Sequence, residues 1–159
     1  MSRFGRKYLA GDHLRVLDLG SRALKNQTSY RPFFNRVGWE YIGADIEAGR
    51  NVDVVLQGPY TWQFGNEDFD AVVSGQTLEH VNYPWEFMVE VARVLKRGGF
   101  ACIIAPASWH WHRYPVDTFR YYPDGMAALA KWAGLNVIRT GMDRLNERMK
   151  QTTYLIAQK

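Results

Sequence analysis

Gly20 and Asp45 each follow a short apolar run, and together they have the makings of a nucleoside site. The glycine lets the backbone come close to a ligand, and the carboxylate can accept hydrogen bonds from both ribose hydroxyls. A turn glycine and a solvated strand-end aspartate would look the same, so the pair needs support from the rest of the chain. A second cluster is Glu79-His80, again just past an apolar run. His80 reads as a general base or acceptor-site group, or as a histidine that only ties down the next segment. A third lies in residues 107–123, where Trp109, His110, Trp111, His112, Arg113, Tyr114, Phe119, Tyr121 and Tyr122 crowd together without a clean period. Within it, His112, Arg113, Tyr114 and Asp117 set polar groups among rings. That mixture suits a polar acceptor with apolar faces, such as a sugar, and equally a rigid cap on the core edge. His110 and His112 would face one way in an extended segment. With Glu79 or His80 they could complete a metal site, but the spacing matches no established metal motif, so no metal is expected.

These groups need elements to position them. Leu14–Leu19 reads as a first strand feeding a turn at Gly20. A helix starting between Gln27 and Arg31, capped by Ser29 with Pro32 in its first turn, would turn Phe33, Phe34 and Val37 inward and stop at Gly38. Trp39–Ala44, Val52–Leu56, Phe69–Ser74 and Phe100–Ala105 read as further strands, the second of these leading into a loop over residues 57–66. Pro84–Lys96 is the clearest helix, since Met88, Val91, Ala92 and Leu95 form one stripe and Glu90 and Arg93 stand at pairing distance. Gly98-Gly99 ends it. Asp124–Ala133, with Asp124 as a cap, is a last helix. Leu135–Arg139 and Thr153–Ala157 are two final strands whose short link predicts an antiparallel hairpin at one edge. Strands alternating with helices predict an α/β fold with a mostly parallel sheet and helices on both faces. Ligands of such sheets bind beyond the carboxyl ends of the strands.

The chain has 159 residues, 47% of them hydrophobic, which is enough for one core and too few for two domains. Residues 1–13 read as a loose basic arm before a single domain over residues 14–159. The net charge of +4 comes without any run of like charges, which argues against nucleic acid. Cys102, the single cysteine, reads as a core filler in a reducing compartment. No apolar stretch is long enough for a membrane span or a signal peptide, so a cytoplasmic protein is expected.

Val16-Leu17-Asp18-Leu19-Gly20-Ser21 resembles the first motif of class I S-adenosylmethionine-dependent methyltransferases, and Tyr41-Ile42-Gly43-Ala44-Asp45-Ile46 resembles the second. Phe69–Ser74 running into Leu78-Glu79-His80-Val81, and Ala92–Phe100, resemble the fourth-strand segment and the helix-to-strand turn of the type 11 subgroup. The four occur in the family's order and spacing. The resemblance implies a Rossmann-like class I methyltransferase sheet and S-adenosylmethionine as cofactor. It also implies roles. Gly20 and Ser21 would line the methionine end, Asp18 would orient that loop and the amino group, Asp45 would hold the ribose and Ile46 would pack on adenine. Ser74, Gly75 and Gln76 would lie near the sulfur. The segment after the fifth strand would build the acceptor pocket, with His112 and then His80 as bases and Arg113, Tyr114 and Asp117 as acceptor contacts. The chain departs from the family at Arg22 and Leu24, where small residues are usual, and at Gln57-Gly58-Pro59-Tyr60, where an acidic residue often reaches adenine; Gln57 or backbone groups would have to serve there.

The expected activity is therefore methyl transfer to a small-molecule or carbohydrate-like acceptor, with oxygen favoured. The alternative is a non-catalytic module that binds cofactor or a partner. A nicotinamide-dependent enzyme would need G-x-G-x-x-G after the first strand, which is missing. The few residues before the first strand leave the site open or covered by a partner subunit, which points to a homodimer.

Overall fold

The computed structural model describes residues 1–25, 28–144 and 151–159. Seven strands form one sheet: β1 (Arg15–Leu19), β2 (Glu40–Asp45), β3 (Val54–Val55), β4 (Phe69–Gly75), β5 (Leu95–Ser108), β6 (Asn136–Arg144) and β7 (Gln151–Gln158). Their order is β3-β2-β1-β4-β5-β7-β6. Strands β1 to β5 pair in parallel, while β7 runs antiparallel between β5 and β6. The edge hairpin predicted from the sequence is thus present. The order reverses between β1 and β4, and at such a switch point neighbouring crossovers leave opposite faces and open a crevice.

Five-residue β1 is buried over its last four residues because both faces of the sheet are covered. On one face lie α3 (Pro84–Val94) and α4 (Pro123–Trp132), packed over Leu17, Leu19, Val72 and Ile103. On the other lie α1 (Ser2–Tyr8) and the short α2 (Arg31–Phe34), packed over Val16, Tyr41, Ala71 and Val73. The loose arm expected over residues 1–13 is therefore corrected in part: residues 2–8 are helical, and Phe4 and Leu9 are buried. Phe4 faces Tyr8 one turn on, which in turn packs against Phe100 of β5. A single turn of aromatic anchors, too short to show a period, is what the sequence pattern missed.

Other boundaries also shift. The expected start at Gln27 lies outside the described residues. The helix there is one turn, preceded by Tyr30 rather than capped by Ser29, and Phe34 alone of its predicted inward residues is buried; Phe33 is 44% exposed and Val37 fully exposed. The strand expected over Val52–Leu56 shrinks to two residues. Helix α3 ends at Val94, not at Gly98-Gly99, and the chain passes straight into β5. Its buried stripe is Phe87, Met88, Val91 and Val94, with Ala92 at its margin. Asp124 does not cap α4, which Tyr122 precedes and Pro123 opens. Cys102 is buried as expected, and burial pushes its thiol up to about 12. Among the described residues no helix is long and apolar enough to cross a membrane.

Glu90 and Arg93 form their predicted pair at 2.7 Å, and the pair does more than brace the helix. Arg93 also donates to the Phe64 carbonyl at 2.8 Å, the Trp62 carbonyl at 3.0 Å and Asn66 Oδ1 at 3.0 Å, while Glu90 accepts the Trp62 N–H at 3.1 Å. The loop before β4 is thereby sewn to α3, which holds Trp62 in the core. Arg93→Ala is expected to cost about 2 kcal/mol, the scale of hydrogen bonds to a charged group. In a domain of this size that lowers the melting temperature by roughly 4–8 °C, which a thermal melt would check.

Candidate active site

The strand ends at the switch point surround a cavity of about 1060 Å³. Pockets of roughly 300–1,000 Å³ take a drug-sized ligand, so there is room for a nucleoside cofactor and a small second molecule. Asp18, Gly20, Ser21, Asp45, Ile46, Gly75 and Gln76 all line it. Gly20 has φ +71°, and a Cβ there would lie 2.5 Å from Thr77 Cγ2 and 2.7 Å from Thr77 Cβ. Only glycine fits, since the left-handed region and the close approach of Thr77 both exclude a side chain. Asp45 accepts the Arg22 N–H at 3.0 Å and the Glu47 N–H at 3.2 Å. These bonds aim its carboxylate and leave lone pairs for a diol. Ile46, beside it, exposes its apolar side chain at 46%.

Asp18 is buried at the floor, where Tyr41 O–H donates to it. Burial raises its carboxyl from 3.8 to about 7, against the opposing effect of the Tyr41 bond. Asn51 completes the support. Its amide donates to the Tyr41 hydroxyl at 3.3 Å and to the Ser21 carbonyl at 2.9 Å, and its own carbonyl accepts Ser21 Oγ–H at 3.2 Å. The loop after β1 is therefore held by β2 and the turn beyond it. It does without further glycines because Arg22, which replaces one, turns its side chain to Glu47 and to the Tyr114 hydroxyl.

Two expectations fail here. Ser74 does not line the cavity; it is fully buried and its hydroxyl donates to the Leu19 carbonyl at 2.9 Å, clipping β4 to β1. Gln57 does not line the cavity either, although its neighbours Leu56 and Pro59 do, and its backbone N–H goes to Gln63 Oε1 at 3.2 Å. Three residues went unnoticed in the sequence. Thr77 and Tyr30 press on Gly20 and Gly75, a Cβ at Gly75 lying 2.8 Å from Tyr30 Cε2. Asn51, at φ +73°, has no signal beyond the tolerance of asparagine for that region.

The end of the cavity expected to take an acceptor is built by zipping residues 107–123 onto the 3-10 turn Leu78–His80. Thr118 gives both its N–H and its hydroxyl to the Glu79 carbonyl at 2.8 Å, and Tyr121 O–H donates to the Leu78 carbonyl at 3.1 Å. His80 Nδ1–H donates to the Val116 carbonyl at 2.6 Å. His112 Nδ1–H donates to the His110 carbonyl at 3.0 Å. Both assignments follow from the acceptors being carbonyls, and both leave Nε2 with a lone pair. The two rings meet edge to face at 4.9 Å. Burial holds His80 below its ordinary value and pushes Glu79 up to about 7.

His80, His112, Arg113 and Tyr114 line the cavity. Asp117 does not, which corrects its expected contact with an acceptor. Its side chain is 1% exposed and grips Arg120 through both oxygens at 2.5 and 2.8 Å. It also accepts the His112 N–H at 2.6 Å. Hydrogen bonds from Arg120 hold its carboxyl well below the usual range. Asp117 thus positions the loop that carries His112.

The methyltransferase-domain family, type 11 group, matches the sequence over residues 17–103. Comparison with curated protein sequences finds no match. Among solved structures, a candidate methyltransferase from Bacillus halodurans C-125 superposes with a TM-score of 0.75 at 11% identity, over 99% of this chain and 97% of that one. The 1,6-didemethyltoxoflavin-N1-methyltransferase of Burkholderia thailandensis, solved with bound 1,6-didemethyltoxoflavin and S-adenosylhomocysteine, gives 0.72 at 14% identity over 92% of this chain and 71% of that one. The cyclase SpnF gives 0.78 at 12% identity over 99% and 79%.

Proposed function

The chain belongs to the type 11 family of methyltransferase domains, which are S-adenosylmethionine-dependent enzymes, and from that premise we propose that it methylates an oxygen of a small, polar, carbohydrate-like acceptor. Two neighbours of the same fold are an N1-methyltransferase and a cyclase, so the site must decide the atom. The observation that carries the reading is a pair of imidazoles, His112 and His80, that both line the cavity and both have Nδ1 engaged by a backbone carbonyl, which leaves Nε2 as the basic nitrogen.

When bound, S-adenosylmethionine supplies a methyl group already activated by its sulfonium. The chain's residues fit it: Gly20 and Ser21 offer backbone to its methionine end, Asp18 a carboxylate, Asp45 a diol acceptor, and Ile46 an apolar face. Gly75 and Gln76 complete the floor. A hydroxyl acceptor must lose a proton as it is methylated, and a neutral imidazole at Nε2 takes that proton. Burial keeps the His80 ring neutral at neutral pH, so it is available as a base. Arg113 and Tyr114 supply the polar and aromatic contacts of a sugar-like molecule, and Asp117 fixes the His112 backbone. The test is a product analysis by mass spectrometry, with matched acceptors bearing a hydroxyl or an amine at the same position. Methyl ethers are expected. Transfer confined to nitrogen or carbon would overturn the reading.

A further inference from the structure

We infer that Glu79, His80 and His112 bind one divalent transition-metal cation, of the zinc(II) or iron(II) kind, at the acceptor end of the cavity. One ligand atom from each residue lies within 4.8 Å of the other two, and His80 Nε2 stands 3.8 Å from Glu79 Oε1. Ligands at about 2.0–2.1 Å from a tetrahedral ion stand about 3.3 Å apart, so side-chain shifts of about 1 Å close the set.

The orientation of the rings is a second argument. Each histidine spends its Nδ1–H on a backbone carbonyl, Val116 for one and His110 for the other. That leaves the Nε2 lone pairs unused, and an outer hydrogen bond of this kind is how proteins orient histidines that bind metal.

Glu79 supplies the third. It is fully buried, and neither carboxylate oxygen has a hydrogen-bond partner among the described residues. A buried carboxylate without partners is costly, and burial in a protein is normally offset by pairing or by a metal. Arg120 favours the charged carboxylate electrostatically but gives it no hydrogen bond, because its guanidinium is engaged by Asp117 and by the carbonyls of Phe119 and His110. Two imidazoles and one carboxylate form a ligand set for such a cation that leaves positions open. Those positions would take an acceptor oxygen, a role that rests on the oxygen-methylation reading above. The two roles of Nε2 exclude each other: in the metal-free chain it takes the acceptor's proton, whereas with the cation bound it is a ligand and the cation acidifies the coordinated hydroxyl, whose proton then leaves to water.

The test uses the untagged full chain, stripped of metal with a chelator and without cofactor or acceptor. Titration with zinc(II) by calorimetry, and with cobalt(II) by its visible absorption, is expected to give one site per chain. Glu79→Gln, His80→Ala and His112→Ala should each weaken binding at least about tenfold, while His13→Ala, remote from the cavity, should not. His112→Ala and His13→Ala alter more exposed side chains, so the comparison survives if the buried substitutions fail to fold. Absence of zinc(II) binding, or binding equally strong in His112→Ala, would overturn the site. If zinc(II) binds and no methyl ether forms, the site stands and the oxygen reading falls. If methyl ethers form in metal-free protein that takes up no zinc(II), the site falls and the reading stands.

Discussion

Gly20→Ala is expected to melt roughly 5–15 °C below the parent and to bind S-adenosylmethionine at least about tenfold more weakly. Two separate costs combine. The left-handed conformation at φ +71° costs a residue with a side chain about 1–2 kcal/mol. The new methyl must also displace Thr77, whose Cγ2 lies 2.5 Å from its position, and overpacking of that kind costs about 1–3 kcal/mol. Thr77 cannot withdraw freely, because its hydroxyl donates to the Leu19 carbonyl at 3.3 Å. The two costs can be separated. Thr77→Ala in the Gly20→Ala background should recover part of the packing cost, since it removes Cγ2 and the hydroxyl but keeps the Cβ at 2.7 Å, and leave the conformational part. Thermal melts with calorimetric cofactor titrations make the check. A Gly20→Ala protein that melts with the parent would mean that the loop after β1 is not held as described.

Asp18→Asn is expected to be more stable than the parent at pH 8 and to bind the cofactor less well. Burial raises the Asp18 carboxyl from 3.8 to about 7, so the folded chain holds a proton that the unfolded chain has already released. Stability therefore falls as pH rises from about 4 to about 7 and is level above that range. Each pH unit of that window is worth about 1.4 kcal/mol, so ionised Asp18 costs at most about 4 kcal/mol. Asparagine keeps an acceptor for Tyr41 O–H and never ionises. The difference in melting temperature between variant and parent should be small near pH 4.5 and grow towards pH 8. Cofactor affinity should move the other way, because an ammonium group gains from a carboxylate and not from an amide. Parallel pH profiles for the two proteins would refute the account.

Much of this site is legible from the sequence because it sits at strand ends. The apolar runs before Gly20, Asp45 and Gly75 mark where each strand stops, and in an open α/β sheet those stops converge. Ser74 shows the limit of that logic. It belongs to the right segment, but its buried hydroxyl bonds the carbonyl of the neighbouring strand, and one residue along the strand separates a cavity wall from a clip. Asp117 fails differently: a carboxylate three residues before an arginine in an irregular segment bonds locally, and spacing says nothing of that without the loop's path. Asn51 and Tyr30 were invisible because their contacts join segments far apart in the chain. The helix over Ser2–Tyr8 was missed for want of length, since seven residues span two turns and carry few anchors.

Arg22 has one further consequence. Its backbone N–H steadies Asp45 on the nucleoside side, while its guanidinium reaches Glu47 and the Tyr114 hydroxyl on the acceptor side. The two sides of the cleft thus meet at one residue, through its backbone on one side and its guanidinium on the other, and ligands bound on both sides would influence each other mutually. Whatever free energy a bound nucleoside lends to this clasp returns as tighter capture of the second molecule, and the second returns it in equal measure. The arginine that spoils the glycine pattern is in this sense placed where it would couple the two halves of the cleft.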